Sequence, residues 1–429
     1  MNLLKYFLIM TFFIGINCAF GDTTVTPVEI PSSFNPVGSG AKALGMSAFI
    51  ASSDDATAAS WNPGALSILE QFEISVVGSF MRRKENTNLG NFTISESELN
   101  YMSIVYPFYL NRIMVVALTY QRLYDLNRNW EFYLVKNKDN LSYKSQWHYN
   151  QEGSLSAIGL SYCTEVTPNI YFGGTINFWN DNQWTQDYLN YREGFINNNP
   201  FKSTYRQFEE YSFKGLNVNL GILWHYNDDI SFGAVYKTKF EADIEHKIYL
   251  DNKKVDHRNE KMKMPESVGF GVAFKVSKKF RLSSEIYKTY WNNFVYTNQD
   301  GTETNPITGR LINNTNNMKP TYQLRLGGEY KLIVNKDMKY AIPIRAGIFY
   351  DPIPSQNNPD DVYGLSIGIG FSKIAYFSFD ISYQYRFGNN IGDSYMDPEL
   401  NFEQNINESN IYLSLILYSD FMLNKYPNQ

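Results

Sequence analysis

The chain has 429 residues and a net charge of −5, so it carries no basic field of the kind that binds nucleic acid. It has two cysteines; Cys18 falls in a leader and Cys163 is left alone, which excludes an internal disulfide and a cysteine metal cluster. Aromatic residues make up 16%, as expected where tyrosine and tryptophan girdle a membrane interface.

Residues 1–21 read as a signal peptide. Lys5 gives the positive start, Tyr6 to Ile16 the apolar stretch, and Ala19 and Gly21 the small residues before a cleavage at Asp22. Asn17 is a poor neighbour for a lipidated Cys18. No later window approaches the ~20 consecutive apolar residues of a spanning helix. A mean hydropathy of −0.37 is compatible with a barrel, because half of each strand faces a polar lumen.

Residues 22–70 differ from all that follows. Small residues dominate Gly38 to Gly45 and Asp54 to Ser60, and period-2 alternation is weak. Two short helical turns are expected, one capped by Asp54 or Asp55 and the next by Asn62 with Pro63 at its first position. This is a compact segment ahead of the first strand.

From 71 onward strands are expected near 71–82, 97–108, 112–123, 152–164, 169–181, 209–226, 229–250, 262–275, 279–291, 320–333, 339–350, 361–373, 375–387 and 409–421. Residues 375–387 are the clearest case. Ala375, Phe377, Phe379, Ile381, Tyr383, Tyr385 and Phe387 fall on one face, and Ser378, Asp380, Ser382, Gln384 and Arg386 on the other. Short connections (107–111, 164–168, 227–228, 276–278, 335–337, 372–374) alternate with long ones (83–96, 124–151, 182–208, 251–261, 292–319, 351–360, 388–408). A repeated dyad, an even strand count and this alternation predict an all-β, membrane-spanning antiparallel β-barrel of about 14 strands over 71–421, with both termini periplasmic and a tail at 422–429.

Asn35 to Met46, followed by Asp54-Asp55-Ala56-Thr57-Ala58-Ala59-Ser60-Trp61-Asn62-Pro63, resembles the N-terminal hatch of the long-chain fatty-acid and toluene transporter family (FadL/TodX-type outer-membrane transport proteins). The similarity continues through Met264 to Gly271, Trp291-Asn292, Leu324 to Tyr330, Ile344 to Asp351 and Pro359-Asp360-Asp361. Two departures are Gly64-Ala65, exchanged relative to the family's usual Asn-Pro-Ala-Gly-Leu, and a tail after Phe421 where family barrels end on an aromatic residue. The resemblance implies a bacterial outer-membrane barrel plugged by residues 22–70. It would carry fatty acids or hydrocarbons passively and release them through a kink in the third strand into the bilayer. It implies a monomer whose partners are hydrophobic small molecules and outer-membrane lipid, with no cofactor and no enzymatic activity.

Phe34, Phe49, Trp61 and Leu66 are the candidate ligand-binding side chains; packing of the plug would use the same four. Asp54, Asp55, Asn62 and Pro63 form the hatch motif, where a structural role explains the adjacent aspartates better than a catalytic pair. His148, His225, His246 and His257 lack metal-ligand spacing. Asp380, Arg386, Arg325, Glu329 and Lys331 share one parity, which predicts interior salt bridges. The expected third strand holds neither glycine nor proline, so any kink there would have to be held by the segment around Asn62, with Ala117 as the position to probe. A hydrophilic porin would need an open lumen, and a barrel that binds protein cargo, like the secretion-shuttle relatives, would need a closed wall.

Overall fold

The structure, a computed structural model, describes residues 38–87, 90–138, 141–306, 311–312, 318–335, 340–355, 358–373, 376–391 and 404–419. The leader, Phe34 and the tail lie outside them. One antiparallel sheet contains β1 (Phe72–Thr87), β2 (Gly90–Tyr109), β3 (Ile113–Asp125), β4 (Arg128–Lys138), β5 (Leu141–Thr167), β6 (Ile170–Ile196), β7 (Asn199–His225), β8 (Ile230–Lys237), β9 (Phe240–Leu250) and β10 (Lys253–Met264). It continues through β11 (Ser267–Lys275), β12 (Phe280–Thr289), β13 (Val295–Thr297), β14 (Glu303–Thr304), β15 (Thr321–Asn335), β16 (Tyr340–Tyr350), β17 (Val362–Lys373), β18 (Phe377–Gly388) and β19 (Gln404–Ser419).

Several of these strands are halves of one crossing. β3 and β4 both run along β5, β8 and β9 both run along β7, and β10 and β11 together form the next crossing. With the short pair β13 and β14 set aside, fourteen crossings remain among the described residues, and β1 pairs with β19 from Phe72↔Ser419 to Thr87↔Gln404 to close the barrel. The alternation sets the two faces. On β18, Ser378, Asp380, Ser382, Gln384 and Arg386 are buried towards the lumen, while Phe379, Ile381 and Phe387 are exposed outside.

Two aromatic girdles bound the outer face. Near the short turns stand Tyr106 and Phe108, Trp224, Tyr226 and Phe232, and Tyr340 and Phe371. Towards the other rim stand Tyr350, Tyr363, Tyr385 and Phe387. Along β17, eight residue steps of ~3.4 Å separate Tyr363 from Phe371, which at a tilt near 40° spans about 20 Å of bilayer.

The connections correct the sequence-based expectation. Residues assigned to long loops at 83–96, 124–151, 182–208 and 251–261 are mostly strand, so β5, β6 and β7 reach 27 residues each. Asn197–Asn198 and Asp251–Asn252 are two-residue hairpin turns with positive φ at both positions, the conformation that matches strand twist and that asparagine and aspartate tolerate. Polarity had marked these stretches as loops. Here polar side chains stand on strands that rise beyond the bilayer, where neither face is lipid. Trp291, expected to close a strand, begins the 3-10 turn Trp291–Asn293.

Candidate functional site

Residues 38–70 lie against the lumen face of the wall. They form a helix Ala41–Met46, a helix Ala58–Trp61 and a 3-10 turn Pro63–Ile68, one element more than expected. Ala, Ser and Gly predominate because the backbone itself meets the wall. A Cβ on Gly327 would lie 1.6 Å from the Met46 carbonyl oxygen, and one on Gly173 would lie 2.3 Å from that of Pro63. Wall side chains satisfy the segment's backbone groups, as burial requires. Glu285 Oε2 accepts from the amides of Phe49 and Ile50 at 2.8 and 2.9 Å, and Glu73 accepts from Ala56 at 3.0 Å. Gln384 donates to Leu44 O, Ser366 to Gly45 O and Tyr101 to Ala56 O.

The hatch-motif residues divide the work. Asn62 caps the turn that begins at Pro63, accepting from Gly64 N at 3.1 Å, and its amide donates to Ile50 O and, on β7, Ile222 O. Asp55 accepts from the Thr57 amide and hydroxyl, which braces the turn ahead of the helix. Asp54 caps nothing. It begins a chain of alternating charge in which Lys42 and Arg281 both reach Asp54, Arg281 reaches Glu329, and Arg345 lies 2.7 Å from Glu329 and 2.6 Å from Asp380. Arg386 meets Asp351 and Glu408 at 2.9 and 3.3 Å. Interior salt bridges were expected for Asp380, Arg386, Arg325, Glu329 and Lys331; Lys331 reaches Glu329 at 3.5 Å but is itself exposed, at the rim. Arg345 joins Glu329 to Asp380, and Arg281 and Lys42 extend the chain to Asp54; these three cations come from elements far apart in sequence.

Phe49 and Trp61 pack edge to face at 6.0 Å and are completely buried, in one cluster with Met46, Ile50 and Tyr287. Leu66 belongs to a second cluster, against Val105, Val115, Ala117 and Cys163. These residues pack segment against wall. Ala117 is part of that seam and not of an opening.

Above the segment the lumen changes character. Trp179, Trp184, Phe213, Met264, Trp291 and Phe294 form an apolar cluster. A cavity of about 40 Å³ beside it is lined by Leu123, Tyr124, Trp179, Phe240, Met264 and Trp291, with Asn177, Asn219 and Lys237 among its polar residues.

The wall beside this chamber is interrupted. β2 and β3 are paired only from Tyr101↔Gln121 to Tyr109↔Ile113. Beyond that, among the described residues, β2 pairs with β1 and β4 pairs with β5. The two edges meet again where Phe92 packs on Trp130, 6.1 Å between rings. Each edge carries a bulge, Asn100 unpaired on β2 and Leu123 unpaired on β3. A second cavity, of about 120 Å³, reaches this window between Glu96, Glu98 and Asn100 on one side and Arg122 to Asp125 on the other. Leu99 and Met102 face outward at its lower edge, which sets it at the top of the apolar band.

The third crossing is therefore broken, at Leu126–Asn127, although it contains no glycine or proline. The cause is in its neighbours. Gly153 on β5 has φ 136°, and its carbonyl accepts from Leu126 N at 3.0 Å. Asn127 Oδ1 accepts from Gly153 N at 2.8 Å, and the Asn182 amide bonds both Ser156 N and Ser156 O in place of ladder bonds. Asn62 bonds β7 and does not hold the break.

Higher still, His246 lies between Glu209 (3.1 Å) and Glu260 (3.0 Å), with Tyr211 stacked on its ring at 4.1 Å. Glu241 and Lys261 face outward on the same hairpin and are exposed, so this level is outside the bilayer. Burial alone would depress the imidazolium. The hydrogen bonds and charges of Glu209 and Glu260 outweigh it and raise the pKa to about 9.

The sequence matches the family described as "Outer membrane protein transport protein (OMPP1/FadL/TodX)" over residues 141–409. The fold is similar to that of a Pseudomonas aeruginosa FadL homologue at 12% identity and TM-score 0.60, covering 92% of this chain and 100% of that one. It is also similar to the Pseudomonas putida toluene transporter TodX, at 14% identity and TM-score 0.54, with 90% and 99% covered. The Ralstonia pickettii toluene transporter TbuX gives 11%, 0.54, 90% and 100%. No curated protein sequence matches the chain.

Proposed function

We propose that this chain, which belongs to the outer membrane protein transport protein family (OMPP1/FadL/TodX), carries hydrophobic molecules passively into the outer membrane and releases them sideways through the β2–β3 window. The observation that carries this reading is the conjunction of an apolar chamber, a window at the top of the lipid-facing band, and a lumen filled below both by residues 38–70. An apolar solute leaving the chamber has a lateral route into hydrocarbon, where its transfer is favourable, while the route straight down is occupied. Residues 22–70 act in this scheme as the plug. Fatty acids and hydrocarbons are the cargo classes that fit such a chamber, and two solved proteins of the same fold are toluene transporters.

A hydrophilic porin would need a wet path through the lower lumen, which the packing of Ala, Ser and Gly against the wall opposes. The test is to fill the window with Asn100→Trp in the full-length protein. Uptake of radiolabelled toluene by cells expressing this variant should fall several-fold, with barrel assembly, read from heat-modifiable gel mobility, unchanged. Undiminished uptake by a correctly inserted variant would exclude release through the window.

A further inference from the structure

The chamber and the window cavity are separate spaces, and the side chains common to both linings are Leu123 and Tyr124. Consecutive residues of a regular strand point to opposite faces. The unpaired Leu123 breaks that rule, because a bulge re-aims the chain and parity inverts across it. Before it Thr119 and Gln121 are buried in the lumen; after it Leu126 and Trp130 are. Leu123 and Tyr124 therefore both project inward and form the partition between the two cavities.

The partition is held differently from the walls beside it. Trp179 is pinned by its indole N–H to Asn217 Oδ1 at 2.8 Å and stacks on Phe240 at 5.6 Å. Trp291 is pinned to Thr321 Oγ1 at 3.1 Å. Tyr124 touches Trp179 at 6.2 Å between rings, and among the described residues its hydroxyl has no hydrogen-bond partner. Of the three polar aromatics lining the chamber, Tyr124 is held by packing alone, so its rotation breaks no hydrogen bond while the other two are tethered.

We propose that Tyr124 is the specificity-determining residue of the exit: its ring, backed by Leu123, sets the girth of cargo that passes from the chamber to the window. The inference rests on the lateral route proposed above, and it concerns which molecules take that route. A single-ring hydrocarbon needs a smaller displacement of the phenol than a fused two-ring one. Tyr124 thus discriminates by width, and its hydroxyl takes no part.

The experiment measures uptake of radiolabelled toluene and naphthalene by cells expressing the full-length protein, with assembly checked by heat-modifiable mobility. Tyr124→Ala should raise the naphthalene-to-toluene uptake ratio at least threefold, and Tyr124→Trp should lower it by a similar factor. Tyr124→Phe should match wild type. Leu123→Ala, which removes only the backing, should shift the ratio in the same direction as Tyr124→Ala and serves if that variant assembles poorly. An unchanged ratio in Tyr124→Ala, Tyr124→Trp and Leu123→Ala, while Asn100→Trp still cuts uptake, would overturn the assignment and leave the lateral route standing.

Discussion

The lower and upper halves of the lumen are filled by opposite chemistry. Below, a segment of small residues is held by side-chain bonds to its backbone and by a chain of alternating charges, Lys42, Asp54, Arg281, Glu329, Arg345 and Asp380. Above, the tryptophan, phenylalanine and methionine side chains of the chamber cluster pack mainly through apolar contacts. Trp179 and Trp291 are tethered by hydrogen bonds, and the His246 network is set higher still. Hydrogen bonds and ion pairs fix one geometry, since a buried unpaired partner is costly. Apolar contacts are non-directional and tolerate rearrangement. The lower half is thus held in one geometry, and the apolar cluster above it is freer to rearrange. The wall opens at the boundary between them.

The largest effect is expected where backbone meets backbone. Gly327→Leu puts side-chain atoms where the Met46 carbonyl lies, so residues 38–70 cannot seat. The outcome is a barrel with raised conductance in planar bilayers, or failure to assemble. Wild-type conductance in an assembled variant would show that this contact does not position the plug. Arg345→Ala comes next. It leaves Glu329 and Asp380 buried without their shared cation, at a cost of about 3–5 kcal/mol, seen as a lowered midpoint in urea refolding. Glu285→Gln keeps the shape but weakens the two amide bonds to Phe49 and Ile50, at a cost of ~1–2 kcal/mol. It should produce intermittent openings in single-channel records, and a silent trace would place the holding force elsewhere. The upper half should answer none of these substitutions with a loss of its own packing.

The smallest effect is the one that separates the halves by pH. His246 has a raised pKa in the folded protein, so its contribution is fully present below the unfolded value near 6.5 and is lost as pH rises through about 9. The hairpins around His246 should therefore become more protease-sensitive between pH 7 and 10 while residues 38–70 stay seated. In His246→Leu that pH dependence should disappear. Its persistence would assign it to another group.

Much of the fold was legible because period-2 alternation is a local property: each residue's face follows from its neighbour's. The crossings at 320–333, 361–373 and 375–387 are found within a few residues of their expected places for that reason. The segment of small residues ahead of the barrel was legible from its composition and from Asn62-Pro63, whose cap joins residues only two apart. Gly327 was a usable signal for a contact with residues 38–70, because it shares the parity of Arg325, Glu329 and Lys331.

Strand length beyond the bilayer was hidden. Without a lipid face a strand no longer alternates apolar with polar, and composition alone reads it as loop. The break in the third crossing was hidden for a different reason, since its cause lies in Gly153 and Asn182 on neighbouring strands. The sequence by itself determined which residues face lipid, which face the lumen, and that a segment of small residues precedes the barrel. Only the tertiary structure decided where the wall opens, which cations complete the interior charges, and that Leu123 and Tyr124 stand side by side in the lumen. Those features depend on pairings between residues distant in the chain, and no local pattern encodes the register that brings them together.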